Sequence, residues 1–196
     1  MEAFRTDDKL HSLMKRYKAN NRPISVDFRK MVSWLKPDSH THIIHPYPAK
    51  LLMHIPHFFL ANNLLSPDDG RVLDPFCGSG TVLLEAKLSG RKVMGADTSP
   101  FARLLTKVKI QRLDSKALKV SYKSLKKRVP ETPSIAMPDV VNLKYWFYPR
   151  IRKQLLCIYE AIGLTKKEDY RKFFLICFSK CVRKVSLADP RLAVPV

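Results

Sequence analysis

Apolar positions recur along this chain with two different periods, and the changes of period divide it. Residues 1–40 are polar and mixed, with Pro23 and Pro37 as breakers, and predict a leader with one short helix and no assignable role. His45-Pro46-Tyr47-Pro48-Ala49-Lys50 reads as a rigid turn, because two prolines fix the backbone and disfavour helix before each. An apolar helix is expected over Leu51–Leu65, broken or kinked near Pro56, and Ser66-Pro67-Asp68-Asp69-Gly70 reads as a turn. Arg71–Asp74 then has the character of a short buried strand. Thr81–Ser89 predicts a helix closed by Gly90, and Lys92–Ala96 a second strand ending at Asp97. Strand, glycine loop, helix, strand and acid make the first βαβ unit of an open doubly wound sheet.

Beyond Asp97 the period becomes helical. Phe101, Leu104, Leu105 and Val108 are spaced for one helix face, as are Ile151, Leu155, Ile158 and Ile162. Tyr170, Phe173, Phe174, Cys177, Cys181 and Val182 repeat the pattern, after a link punctuated by Pro130, Pro133, Pro138 and Pro149. A complete doubly wound domain needs about five or more strands, and two can be placed here. The expected fold is therefore α/β, a partial doubly wound (Rossmann-like) sheet with a helical C-terminal extension. The expected divisions are a leader at 1–40, a core at 41–114 and a basic helical extension at 115–196.

Charge changes the picture more than composition does. Hydrophobic residues at 45% and charged residues at 27% are ordinary for a globular protein, but 36 Lys and Arg against 17 acids give +19. Ten cations fall between Arg103 and Arg128 with Asp114 as the lone acid, a field that draws polyanions such as nucleic acid. A solvated, lysine-rich helix face is the alternative. Cys77, Cys157, Cys177 and Cys181 form no disulfide-like framework and no secretory signal opens the chain, so a cytoplasmic setting is the default. The apolar stretch Leu51–Leu65 is too short to span a bilayer, so no membrane is expected.

The candidate chemistry lies in Asp74-Pro75-Phe76-Cys77-Gly78-Ser79-Gly80-Thr81. Its glycines let backbone pass close beneath a ligand, and it opens a helix whose N-terminal amides favour an anionic group. No Gly-Lys-Ser/Thr ends it, so it is not a P-loop. Leu83 stands where a dinucleotide fingerprint needs Gly or Ala. A nucleoside ligand without pyrophosphate remains, with S-adenosylmethionine the obvious case. Asp97, with Thr98 beside it, stands at the end of the second strand, where a carboxylate can accept bonds from ribose hydroxyls. The alternative for Asp97 is a cap for the helix near Pro100, a task open to Thr98 or Ser99 as well.

Val72–Ala86 resembles motif I of the DNA methyltransferases that modify adenine N6 or cytosine N4, and His45–Leu51 is similar to their motif X. Gly95-Ala96-Asp97 with Ser99-Pro100 resembles motif II. The resemblance covers about residues 42–110 and implies S-adenosylmethionine as cofactor and double-stranded DNA as partner. It implies that Asp74, Pro75, Phe76, Cys77, Gly78, Ser79, Gly80 and Thr81 line the methionine moiety. Tyr47, Pro48, Ala49 and Lys50 would complete that pocket, and Asp97 with Thr98 would hold the ribose. Guanine-N2 RNA methyltransferases carry close variants of motif I, and a non-enzymatic cofactor- or DNA-binding subunit is a further rival.

The same resemblance exposes a gap. Such enzymes carry an Asp/Asn/Ser-Pro-Pro-aromatic motif that accepts hydrogen bonds from the target amine and stacks on the flipped base. This chain has no Pro-Pro pair, and Asp189-Pro190-Arg191-Leu192 lacks both the second proline and the ring. No catalytic residue is assigned; a second polypeptide carrying that motif is the expected partner, or the chain is a fragment, with a degenerate copy as the less favoured alternative. Cys77 is expected as a small lining residue, and Cys177 and Cys181 as core of a helix stripe. Five of the six histidines lie between His40 and His57 without a fourth-ligand pattern, so no metal is expected; His45 is expected to orient the proline turn. Lys144–Tyr148, with the cations at 150–153, suits base stacking, a helix anchor or partner docking.

Overall fold

The computed structural model describes residues 5–36, 40–48, 50–131 and 137–188. Ala49 and the Asp189-Pro190 candidate lie outside the described residues. The chain forms two compact units, Met1–Ile43 with Ala49–Ile110, and Ile44–Pro48 with Gln111–Val196.

The first unit is built on a parallel pair, β1 (Arg71–Asp74) and β2 (Lys92–Gly95), in the register Val72↔Val93 and Asp74↔Gly95. It begins with α1 (Asp7–Asn20), α2 (Phe28–Met31) and α3 (His54–Leu60), and it ends with α4 (Thr81–Leu88) and α5 (Pro100–Ile110). The fold is α/β and mostly helical, with a two-stranded parallel sheet among the described residues. α4 is the crossover between the strands and packs on α3, α5 and both strands. Its Leu83, Leu84 and Ala86 are buried. Gly90 follows it at φ +88°, the left-handed conformation that ends a helix without Cβ strain.

Two expectations are corrected in front of β1. The apolar stretch 51–65 gives a helix only over His54–Leu60, and Pro56 lies in its first turn. There the missing amide is one that a helix leaves unpaired anyway, so Pro56 starts the helix instead of kinking it. The leader is also more ordered than its polarity suggests, with a 14-residue helix α1 and a short α2. Leu10 and Val32 bury against Phe58, and Thr6 donates its hydroxyl to the Phe58 carbonyl at 2.6 Å. Arg91 closes the approach to β1, its guanidinium donating to Ser66 Oγ at 3.0 Å and the Asn62 carbonyl at 2.8 Å.

The second unit is helical among its described residues. It contains α6 (Ser115–Arg128), α7 (Leu143–Trp146), α8 (Pro149–Gly163) and α9 (Glu168–Val185). Asp114 caps α6 by accepting the amides of Lys116 and Ala117, and Pro149 opens α8 at the position that tolerates it. Leu125, Ala161, Ile162, Tyr170 and Phe174 form the core. Cys177 and Cys181, expected as core, instead line an apolar cleft of about 780 Å³ with Phe173 and Phe178, Cys177 half-buried and Cys181 exposed. Among the described residues no helix is long and apolar enough to cross a membrane.

The sheet leaves apolar surface open. Leu73 and Met94 are register partners on one face and are 64% and 71% exposed. Parallel sheets are normally covered on both faces, and open strand edges invite pairing. The 196-residue chain should therefore scatter light as species heavier than its 22.6 kDa monomer, and Leu73→Lys with Met94→Lys should shift it toward monomer. A monodisperse monomer from the unaltered chain would contradict this.

Candidate functional site

The loop between β1 and α4 is held from three sides. Ala96 past β2 donates its amide to the Asp74 carbonyl and accepts from the Cys77 amide, each at 2.9 Å, so the pairing continues beyond the strands. The Gly78 amide donates to Asp97 Oδ2 at 2.8 Å, and Thr106 on α5 donates its hydroxyl to the Gly78 carbonyl at 3.0 Å. The Gly80 amide turns back to the Cys77 carbonyl, and the Asp74 side chain accepts the Phe76 amide at 3.2 Å.

Gly78 and Gly80 have φ of +46° and +70°, in the region that favours glycine. A Cβ on Gly80 would meet Thr106 Oγ1 at 2.6 Å. Gly95, in the stretch that resembles motif II, is closely packed as well. A Cβ there would overlap Leu83 and reach Cys77 Cβ at 3.2 Å. The first turn of α4 has no side-chain cap, so its leading amides are available to an acceptor outside the helix.

Asp97 accepts twice, from Gly78 through Oδ2 and from Ser99 through Oδ1 at 2.9 Å. The Ser99 and Gly78 amides hold its carboxyl below the usual carboxylate range. The capping of α5 falls to Ser99, whose Oγ accepts the Ala102 amide. Arg103 donates to the carbonyls of Asp97 and Thr98. Cys77 is buried, and burial pushes its thiol up, so it is a lining group and not a ready nucleophile. Phe76, by contrast, is 86% exposed.

Of the proposed site residues, Asp74–Thr81, Asp97, Thr98 and Lys50 lie in the first unit, and Gly78 meets Asp97 directly. Tyr47 and Pro48 group with the second unit. There His45 donates from Nδ1 to the Pro46 carbonyl at 2.5 Å and contacts Ser179 of α9 through Nε2 at 3.2 Å. Lys50 donates its ammonium to the His42 carbonyl at 2.6 Å.

The basic run from Arg103 to Arg128 is not one surface. Lys109 is 2% exposed, so it belongs to the interior of the first unit. On α6 of the second unit, Lys116, Lys119, Lys123, Lys126 and Lys127 are exposed at three- and four-residue spacings and form a ridge. A buried acid was missed altogether. Glu85 on α4 is 0% exposed and accepts from His42 Nε2 at 2.5 Å and His57 Nδ1 at 2.8 Å. Burial pushes its carboxyl up, but the two histidine bonds outweigh that and hold it below the ordinary value. The available signal was a lone acid in the apolar run Val82–Ala86. Among the described residues no group of three ligating side chains is placed to hold a metal ion.

Burial, then the nearby Lys50 ammonium, lowers Lys109 from 10.5 to about 8, with Glu85 opposing. The unfolded chain keeps that proton to higher pH, so stability should rise as pH climbs from about 8 toward 10.5. Urea unfolding should show a gain of up to about 2 kcal/mol between about pH 8 and pH 10, absent in Lys109→Met. Equal slopes in both proteins would contradict the assignment.

Comparison with known proteins places the stretch that carries this loop among DNA methylases. Residues 15–108 match the N6/N4 family of DNA methylases, a span that takes in part of the leader, the loop, both strands and most of α5. The chain is 28% identical to the type II methyltransferase M.MvaI of Kocuria varians, over 74% of this chain and 34% of that protein. It is 39% identical to the type II methyltransferase M.MjaII of Methanocaldococcus jannaschii, over 41% of this chain and 15% of that protein. The match thus spans about a third or less of the length of these relatives. No solved structure matches the chain significantly. Over residues 15–108 this chain is thus similar to the N6/N4-type DNA methylases.

Proposed function

We propose that this chain supplies the S-adenosylmethionine site of a DNA methyltransferase that modifies an exocyclic amine, adenine N6 or cytosine N4, within a restriction-modification setting. The observation that carries it is the loop locked by the Gly78–Asp97 bond at the ends of two parallel strands, in a stretch matching the DNA methylase family. Two features support the fit to this cofactor. Half-buried Gly78, at φ +46°, turns the loop with no side chain over its backbone, and the uncapped first turn of α4 offers amides to a carboxylate.

In this reading Asp74–Thr81 line the methionine moiety, with Lys50 of the same unit completing that pocket. Asp97 holds the ribose with Thr98 beside it, since each carboxylate oxygen keeps a lone pair after accepting one amide. The bound cofactor supplies a methyl group made electrophilic by its sulfonium. Cys77, buried and protonated, offers no competing thiolate beside it. The lysine ridge of α6 grips DNA phosphates. The target amine is a weak nucleophile, and the Pro-Pro-aromatic motif that would orient it comes from a second polypeptide or from the rest of a longer chain. Further strands extend the sheet to the doubly wound form and cover Leu73 and Met94.

Isothermal titration of the chain with S-adenosylmethionine should show one-site binding. Asp97→Ala should weaken it about tenfold or more, the scale of about 1.4 kcal/mol, and Gly80→Ala should abolish it. Absence of binding to the folded, unaltered chain would sink the reading.

A further inference from the structure

Burying a carboxylate costs several kcal/mol unless donors replace the lost water. Glu85 is fully buried between Leu84 and Ala86 on the helix that begins at the glycine loop, and its two donors come from different segments. His57 belongs to α3. His42 lies in the turn before the proline-rich segment, and its own carbonyl accepts the Lys50 ammonium. A continuous linkage thus runs from the α4 carboxylate through the His42 ring and backbone to the Lys50 side chain. His42 Nδ1 is buried without a partner among the described residues, so Nε2 is the ring's one hydrogen-bonded anchor. Thr41, the neighbouring residue, donates to the Lys109 carbonyl at 2.8 Å and ties the same turn to α5.

We propose that Glu85 is a positioning residue that, through His42, fixes the Lys50 side chain for the methionine end of the cofactor, a role that rests on the function proposed above. His57 serves the other carboxylate oxygen and anchors α3. Loss of His57 therefore loosens the fold without releasing Lys50, which separates positioning from general stability.

The test reads Lys50 directly and without cofactor, as its rate of acylation followed by peptide mass spectrometry. Glu85→Ala and His42→Ala should each raise that rate about fivefold or more, while His57→Ala stays within about twofold of the unaltered chain. His42→Ala keeps the test decisive if Glu85→Ala fails to fold. S-adenosylmethionine affinity should fall about tenfold in the same two variants, and that loss should vanish in a Lys50→Ala background. An unchanged Lys50 rate in folded His42→Ala, or an equal rise in His57→Ala, overturns the proposal. The expected acylation pattern with no cofactor binding to the unaltered chain overturns the cofactor reading and leaves the Glu85–His42–Lys50 linkage standing.

Discussion

The bond from the Gly78 amide to the Asp97 carboxylate is the constraint on which the site depends. β1 and β2 run parallel and end at the same level, Asp74 beside Gly95, so the segments leaving them emerge together. One segment carries the glycines and the other the acid, and the 2.8 Å bond joins them. Thr106 then fixes the Gly78 carbonyl, so both polar groups of that peptide neighbourhood are held. Gly95 makes the closure possible, because any side chain there would displace Leu83 and Cys77. The loop's shape is set before any ligand arrives, which lowers the ordering cost of binding.

The centre of the sequence was legible because its signals were local. Alternating apolar runs, a glycine after each turn and an acid at a strand end placed β1, α4 and β2 within one residue of their observed limits. The leader was opaque for the opposite reason. Thr6, Leu10 and Val32 are stabilised by Phe58, some 26 to 52 residues away, and no periodicity announces such contacts. Pro56 misled because a proline breaks a helix interior yet suits a first turn, and the helix start was placed too early. In the site, Gly78, Gly80 and Asp97 were readable as a motif. Glu85 was not, since its partners His42 and His57 are distant in sequence.

Charge is organised differently in the two units. The first keeps a carboxylate, two histidines and a lysine away from water, with both carboxylate oxygens of Glu85 bonded to the histidines. The second exposes its cations as a ridge on α6, where each is solvated and available to a polyanion. A count of basic residues cannot tell Lys109 from Lys116, because burial decides which one meets solvent and which one lies in the interior.

The central claim is that the locked loop is the cofactor's seat, and amide nuclear magnetic resonance with titrated S-adenosylmethionine tests it most directly. The account predicts that the Gly78, Gly80, Thr81 and Asp97 amide signals shift together and saturate at one ligand per chain, while α6 signals stay in place. Saturable binding that leaves those four signals unmoved would contradict it.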